Sequence, residues 1–287
     1  MEAVVSKLKI IFEDIKIQHT VFALPFALMS AFLAAEGLPE WETLGWILVA
    51  MLGARSSAMA FNRIVDATFD EKNPRTVHRA LPAGKINRPQ YMVFLIVSSA
   101  IFVGAAAMLN PLALMLSPLA LAIVFFYSFT KRFTAYSHVF LGFALSVAPV
   151  GAWVAVREEI SLTSLILGAA VVFWLAGFDI LYSCLDVEAD RKNRLHSIPQ
   201  QFGVARALII AWAAHALMVL FLLGLLIDPQ LGITYIAGVV IVAGLLAYEH
   251  SLVKSDDMSK VNMAFFNVNG VISILLMAIV IVDCVWV

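Results

Sequence analysis

Asn62-Arg63-Ile64-Val65-Asp66-Ala67-Thr68-Phe69-Asp70-Glu71-Lys72-Asn73-Pro74-Arg75-Thr76-Val77-His78-Arg79-Ala80-Leu81-Pro82-Ala83-Gly84 closes a strongly apolar run, and the rest of the chain is organised around it. Asn62, Asp66 and Asp70 recur every fourth residue, so a helix carries them on one face. A Pro-containing basic loop follows at once. The pattern returns as Tyr182-Ser183-Cys184-Leu185-Asp186-Val187-Glu188-Ala189-Asp190-Arg191-Lys192-Asn193-Arg194-Leu195-His196-Ser197-Ile198-Pro199. Again a helix end carries carboxylates at i and i+4 and runs into a basic loop. Two such constellations facing one another would hold a divalent metal and an anion.

The surroundings are apolar. Of 287 residues, 62% are hydrophobic and 14% charged, against about 25% charged in soluble domains. The expected class is therefore an all-α, polytopic membrane protein. The formal net charge of −1 offers no basic field for nucleic acid. Cys184 and Cys284 lie in apolar runs and read as small core residues. No cleavable leader is expected, since Lys and acidic residues alternate through 1–19.

Working outward, residues 1–19 read as an amphipathic helix with Val4, Val5, Leu8, Ile11, Phe12 and Ile15 on one stripe, lying on the membrane or against the bundle. Nine apolar runs are expected to span at about 20–36, 43–61, 90–109, 111–128, 138–156, 161–183, 205–227, 230–249 and 263–286. Asn110-Pro111 and Asp228-Pro229 mark tight turns between neighbours. With the N-terminus cytoplasmic, 16 of the 19 Lys and Arg fall in cytoplasmic segments, which is the positive-inside asymmetry. Both acidic constellations then face the cytoplasm of an inner-membrane protein. No linker breaks the chain, so 1–287 is expected to be one membrane-embedded domain.

Charge at the depth of a span is costly and marks function. At about 100° per residue, Arg55, Asn62, Asp66 and Asp70 form one polar strip along the second span. Asp179, Ser183, Asp186 and Asp190 form another along the sixth, with Tyr182 beside it. Converging carboxylates repel each other. Mg²⁺ resolves this, because it takes oxygen ligands and bridges carboxylates to phosphates. Asp66, Asp70, Asp186 and Asp190 are the metal candidates, with Asn62 adding a carbonyl oxygen. Arg75, Arg79, Lys131, Arg132, Arg191, Lys192 and His196 follow the acids as phosphate-binding candidates. Lys85 and Arg88 are ascribed to membrane topology. Glu71 and Glu188 read as solvated helix-end charges. His19, His138 and His215 read as packed or interfacial residues and Tyr127 and Tyr136 as interface aromatics, whereas Tyr182, next to the strip, is counted with the substrate-binding candidates. A cation-coupled transporter is the competing class, although transporter sites favour the midplane.

These residues resemble the UbiA superfamily of intramembrane aromatic prenyltransferases. The first family signature matches Asn62, Asp66, Asp70 and the Arg75-Thr76-Val77-His78-Arg79 loop. The second matches Tyr182, Asp186 and Asp190, and the basic pair after the fourth span matches Lys131-Arg132. The wording around Asn73-Pro74-Arg75-Thr76 and Leu195-His196-Ser197-Ile198-Pro199 is similar to 4-hydroxybenzoate polyprenyltransferase-like enzymes, closest to the menaquinone (futalosine) branch. That branch usually has Gly where this chain has Arg194, a position that often needs a positive φ. The resemblance implies nine helices and Mg²⁺-dependent transfer from a polyprenyl diphosphate to an aromatic acceptor acid of the hydroxybenzoate or dihydroxynaphthoate type, in quinone biosynthesis. Haem, chlorophyll and glyceryl phosphate are the other acceptors that the superfamily implies. Arg55, deeper than Asn62, is the candidate for the acceptor's carboxylate or phenolate, or else a structural partner for Asp179.

Overall fold

This computed structural model describes residues 2–16 and 22–286. His19, residues 17–19 of the expected leader helix, the start of the first expected span and the side chains of Val4 and Val5 lie outside the described set. Apart from one bridge between Lys254 and Asp257, the regular elements described are helical. They are α1 (Glu2–Asp14), α2 (Leu24–Ala35), α3 (Trp41–Asp70), α4 (Arg88–Leu109), α5 (Pro111–Thr130), α6 (Ser137–Arg157), α7 (Leu162–Ser183), α8 (Val187–Asn193), α9 (Ile198–Phe202), α10 (Val204–Gly224), α11 (Ile233–Leu252) and α12 (Val261–Trp286, with a π turn at Ala264–Val268).

Among the described residues, eight helices are long and apolar enough to cross a membrane. The first expected span, 20–36, corresponds to α2, whose 12 residues rise only about 18 Å. In the other direction α3 overruns its expected end, because the helix continues through Asn62, Asp66 and Asp70 as one 30-residue element. That extension lifts the first acidic constellation on a rigid rod.

Local chemistry sets the boundaries. Asn87 and Gln90 close a capping box at the start of α4, and Ser161 and Ser164 do so for α7, each satisfying amides that the first helical turn leaves unpaired. Asn110 accepts from the Ala113 amide at 2.8 Å to start α5. Its Nδ2 donates to the Val154 carbonyl at 2.7 Å, tying that turn to the end of α6.

The central helix is α7, buried almost throughout from Leu167 to Ser183. With α2, α10, α11 and α12 it builds the main core around Trp174, Phe26 and Leu222. A second core joins α1, α3 and α4 through Ile11, Ile15, Ala60, Tyr91 and Leu95. So α1 packs against the bundle, though Leu8 and Phe12 of its stripe stay exposed. Lipid gives helices no hydrophobic reason to pair, so contact depends on close backbone approach over small residues. At Gly53 a Cβ would meet the Phe102 backbone at 2.8 Å, and at Gly142 it would meet the Val172 carbonyl at 2.5 Å. These two glycines set the α3–α4 and α6–α7 spacings.

Gly142→Ala is therefore expected to cost about 1–3 kcal/mol by forcing α6 off α7. Gly104→Ala, where nothing lies within 4 Å, should be neutral or slightly stabilising. Thermal unfolding of both variants in detergent checks this, and equal melting temperatures would remove the close-approach role.

Candidate active site

At one end of the bundle the ends of α3 and α7 stand opposite, with the 71–87 and 131–136 loops laid across them. Asp70, Asp186 and Asp190 are buried and Asp66 is half-buried. They are not solvated helix-end charges, so each needs a partner. The loops supply one base per acid. Arg79 Nη1 donates to both Asp70 oxygens at 2.7 Å. Arg75 reaches over to the other constellation, with Nε on Asp186 Oδ1 at 3.0 Å and Nη2 on Asp186 Oδ2. The second basic pair divides in the same way. Lys131 Nζ lies 3.9 Å from Asp190 Oδ2, and Arg132 Nη2 lies 3.5 Å from Asp66 Oδ1.

Each base is aimed by further contacts. The Asn73 side chain accepts from the Arg75 amide at 2.9 Å, a turn that directs the guanidinium inward. Arg75 Nη1 then donates to the Tyr182 hydroxyl at 2.7 Å, and the Arg75 Cζ lies 4.9 Å from that ring's centroid. Tyr182 thus joins the expected candidates through its contact with Arg75. Thr76 Oγ1 donates to the Asp70 carbonyl at 3.1 Å, holding the loop to the end of α3. Arg132 rests over Phe69 and Phe129, both 5.2 Å away, and donates to the Val65 carbonyl. Asn62 Nδ2 donates to Asp66 Oδ2 at 2.7 Å. Outside the spans, burial lowers the Lys131 ammonium pKa, but Asp190, Asp179, Asp186 and Asp66 together carry it above the ordinary lysine value.

Two expectations for the second constellation need correction. First, α7 ends at Ser183, and a 3-10 turn at Cys184–Asp186 precedes α8. The uniform 100° arithmetic fails across that turn, and Ser183 Oγ donates back to the Ile180 carbonyl at 2.8 Å. Second, Asp179 does not meet Arg55. Its Oδ2 lies 2.7 Å from Nδ1 of the buried His138, whose Nε2 faces the Ile198 amide at 3.4 Å. His138 is packed, as expected, but it positions an acid. Lys192 and Arg191 are exposed on α8, and no contact places either on the four acids. His196 enters through its backbone, whose amide donates to the Lys131 carbonyl at 2.7 Å. Arg194 adopts φ +54 as the cap of α8, the left-handed geometry that a glycine there would adopt freely.

Sequence reading missed Asp14. Its carboxylate takes Arg63 Nε at 3.1 Å, the Ala80 amide at 2.8 Å and the Tyr91 hydroxyl. Arg63 also donates to the Asn62 carbonyl oxygen at 3.2 Å. Asp14 thus pins α1 to α3, α4 and the first basic loop. No periodicity could expose a carboxylate whose partners lie 49 to 77 residues away.

Behind the charged mouth lies a cavity of about 810 Å³ between α3, α4, α5 and α6. It reaches from Arg55 and Tyr127 towards Leu109, Ala113 and Ile160 at the opposite end of the bundle, and apolar side chains dominate its lining. Among the described residues, Arg55 makes one weak bond, 3.4 Å to the Lys16 carbonyl, and its buried Nε has no partner.

For a metal, the donor set is all oxygen and suits a hard cation, and Asp190 Oδ2 is buried with no hydrogen-bond partner. Among the described residues, no three acidic, His or Cys side chains converge as a preformed cation site. Each acid faces a base instead.

The sequence model of the UbiA prenyltransferase family matches residues 23–271. The chain is 30% identical over 240 residues to the 4-hydroxybenzoate octaprenyltransferase of Vibrio parahaemolyticus, covering 83% of this chain and 84% of that one. It is 31% identical over 240 residues to the enzyme of the same name from Marinobacter nauticus, covering 83% and 81%. The apo structure of a UbiA homologue from Aeropyrum pernix shares 33% identity and a TM-score of 0.84, over 93% of this chain and 98% of that one. A UbiA homologue from Archaeoglobus fulgidus bound to GPP and Mg²⁺ shares the fold, with a TM-score of 0.75 at 19% identity, over 96% and 99%.

Asp14→Ala would leave Arg63, which is 4% exposed, without its counter-ion, at a cost of about 3–5 kcal/mol. The double variant Asp14→Ala/Arg63→Met should recover part of that loss. Unfolding temperatures of both single variants and the double variant test the coupling, and strict additivity would show that the pair does not act as a unit.

Proposed function

The chain belongs to the UbiA prenyltransferase family, and on that premise we propose that it transfers a polyprenyl group from polyprenyl diphosphate to a hydroxylated aromatic acid. The observation that carries this reading is the junction of two environments. Four carboxylates with four paired bases form a polar mouth, and it opens towards an apolar cavity of about 810 Å³ with a single guanidinium in its lining. A prenyl diphosphate has the same division between charged head and hydrocarbon tail.

In this reading Asp66, Asp70, Asp186 and Asp190, with Asn62, would hold Mg²⁺ at the diphosphate site. The metal, when bound, neutralises charge that develops on the leaving diphosphate. Arg75, Arg79, Lys131 and Arg132 face the same oxygens, and Tyr182 keeps Arg75 in place. The bond between the allylic carbon and diphosphate oxygen breaks. The acceptor ring forms a carbon–carbon bond to the allylic centre and sheds a proton. Arg55 takes the acceptor's carboxylate, which would satisfy its partnerless Nε. Asp179, held by His138, is one of the acids that support the Lys131 ammonium. The apolar walls keep water from the allylic cation.

The relatives' names favour a hydroxybenzoate acceptor. The Leu195–Pro199 wording favours the fused-ring dihydroxynaphthoate of menaquinone synthesis. The distribution of Lys and Arg supports nine crossings of the cytoplasmic membrane with α2 as the shortest, the N-terminus and mouth in the cytoplasm, and 1–287 as one domain.

Purified protein in detergent with Mg²⁺ and a labelled polyprenyl diphosphate should release diphosphate and prenylate one of the two acceptors. No diphosphate release with either acceptor, with or without chelator, would sink the proposal. Asp66→Ala and Asp186→Ala should each lower kcat by about 10²-fold or more while unfolding at the wild-type temperature. Arg55→Ala should raise the acceptor's KM well beyond the donor's, and an equal rise in both would remove Arg55 from the acceptor site.

A further inference from the structure

Charge pairing at the mouth leaves two cations without an acid. Asp66, Asp70, Asp186, Asp190 and Asp14 are matched with Arg132, Arg79, Arg75, Lys131 and Arg63. Arg55 and Lys16 form no ion pair with a described residue, and they touch one another through Arg55 Nη2 and the Lys16 carbonyl. Arg55 faces the cavity. Lys16 faces the mouth.

We propose that the Lys16 ammonium is a further cation of the diphosphate site, contributed by the segment that follows α1. This rests on the diphosphate reading above and adds a residue outside both acidic constellations and their basic loops.

The geometry fixes where Lys16 stands. Asp14, two residues earlier, is clamped by Arg63, the Ala80 amide and Tyr91. Lys16 itself takes a left-handed turn at φ +49, with its carbonyl accepting from Arg55. An L-residue adopts that conformation at a cost, so neighbouring contacts must hold it. The ammonium then lies 5.9 Å from the Phe266 ring centroid. Phe266 meets Tyr182 edge-on at 6.3 Å, and the Tyr182 hydroxyl accepts from Arg75, the partner of Asp186. Through those rings Lys16 sits on the α12 side of the same mouth.

The electrostatics agree. Partial burial, then Arg79, Arg63 and Arg75, hold the Lys16 pKa below the ordinary lysine value, with Asp14 alone opposing them. An ammonium gathered with three guanidinium groups and offered no acid of its own is relieved by an incoming polyanion. Lys7 and Lys9, exposed on α1, lack such company and serve as internal references.

The full-length protein in neutral detergent is treated with a limiting amine-acylating reagent, with and without inorganic diphosphate and Mg²⁺, and each lysine is read by mass spectrometry. Diphosphate should slow acylation of Lys16 about tenfold and leave Lys7 and Lys9 unchanged. Lys16→Met should raise the KM for the prenyl diphosphate about tenfold with little change in the acceptor's KM. Lys16→Arg should restore most of it. Unprotected Lys16 in a wild-type protein that transfers prenyl groups, or an unaltered donor KM in Lys16→Met, overturns the inference and leaves the proposed function standing. Wild-type protein that neither binds diphosphate nor transfers prenyl groups overturns both.

Discussion

The structure of this site depends on one constraint: four carboxylates, three buried and Asp66 half-buried, sit at the end of α3 and just past the end of α7. Taken alone they would repel one another and take up protons. The chain answers with two short basic segments, each divided between the two constellations. Arg79 and Arg132 serve the α3 acids, and Arg75 and Lys131 serve those after α7. Because every loop binds both sides, neither acidic face can drift without breaking pairs on the other. The same bonds set the register of the α3 and α7 ends and close the 71–87 loop over them. Asp14 extends the lattice to α1, since the Ala80 amide it accepts lies in that loop.

Such a lattice is well suited to exchange. A buried ion pair contributes little net stability once desolvation is counted, whereas a lone buried charge is expensive. The four acids and the four bases of the two loops balance one another. A cation taken up by the acids frees the bases, and a polyanion taken up by the bases frees the acids, so the two ligands are favoured together. Either alone would strand charge. This thermodynamic coupling follows from the pairing pattern itself, without a conformational change.

Most of the fold and half of the site were legible in the sequence, and the division has a physical cause. Apolar runs of span length, the four-residue spacing of the α3 acids and the asymmetry of Lys and Arg are local or additive properties. They gave the helical bundle, the turn at Asn110, and the residues around which the mouth is built. Which base meets which acid is a tertiary matter, and the crossed pairing of Arg75 with Asp186 has no local signal. The break after Ser183 escaped because a 3-10 turn preserves apolar content while changing the rotation per residue. Arg194 shows the opposite lesson. The glycine expected at that place correctly signals a positive φ, and the cap of α8 enforces it on an arginine. Asp14, His138 and Lys16 were passed over because each gains its role from partners distant in sequence.

The polarity of the interior changes over a short distance, and Arg55 marks the change. Asn62 and Asp66 lie two to three turns further along α3 on the charged side, and beyond Arg55 the cavity wall is Met51, Ala54, Phe102 and their like. A guanidinium at that boundary is costly unless an anion or water reaches it, and its Nε has no partner among the described residues. Its one bond goes to a carbonyl in the segment that also carries Lys16. The two unmatched cations are therefore mechanically linked, one facing the charged mouth and one the apolar cavity. An acceptor acid drawn to Arg55 would lie where head and tail of the donor meet. The link also means that loosening the Asp14 clamp should disturb both substrates at once, whereas truncating either cation should disturb only its own.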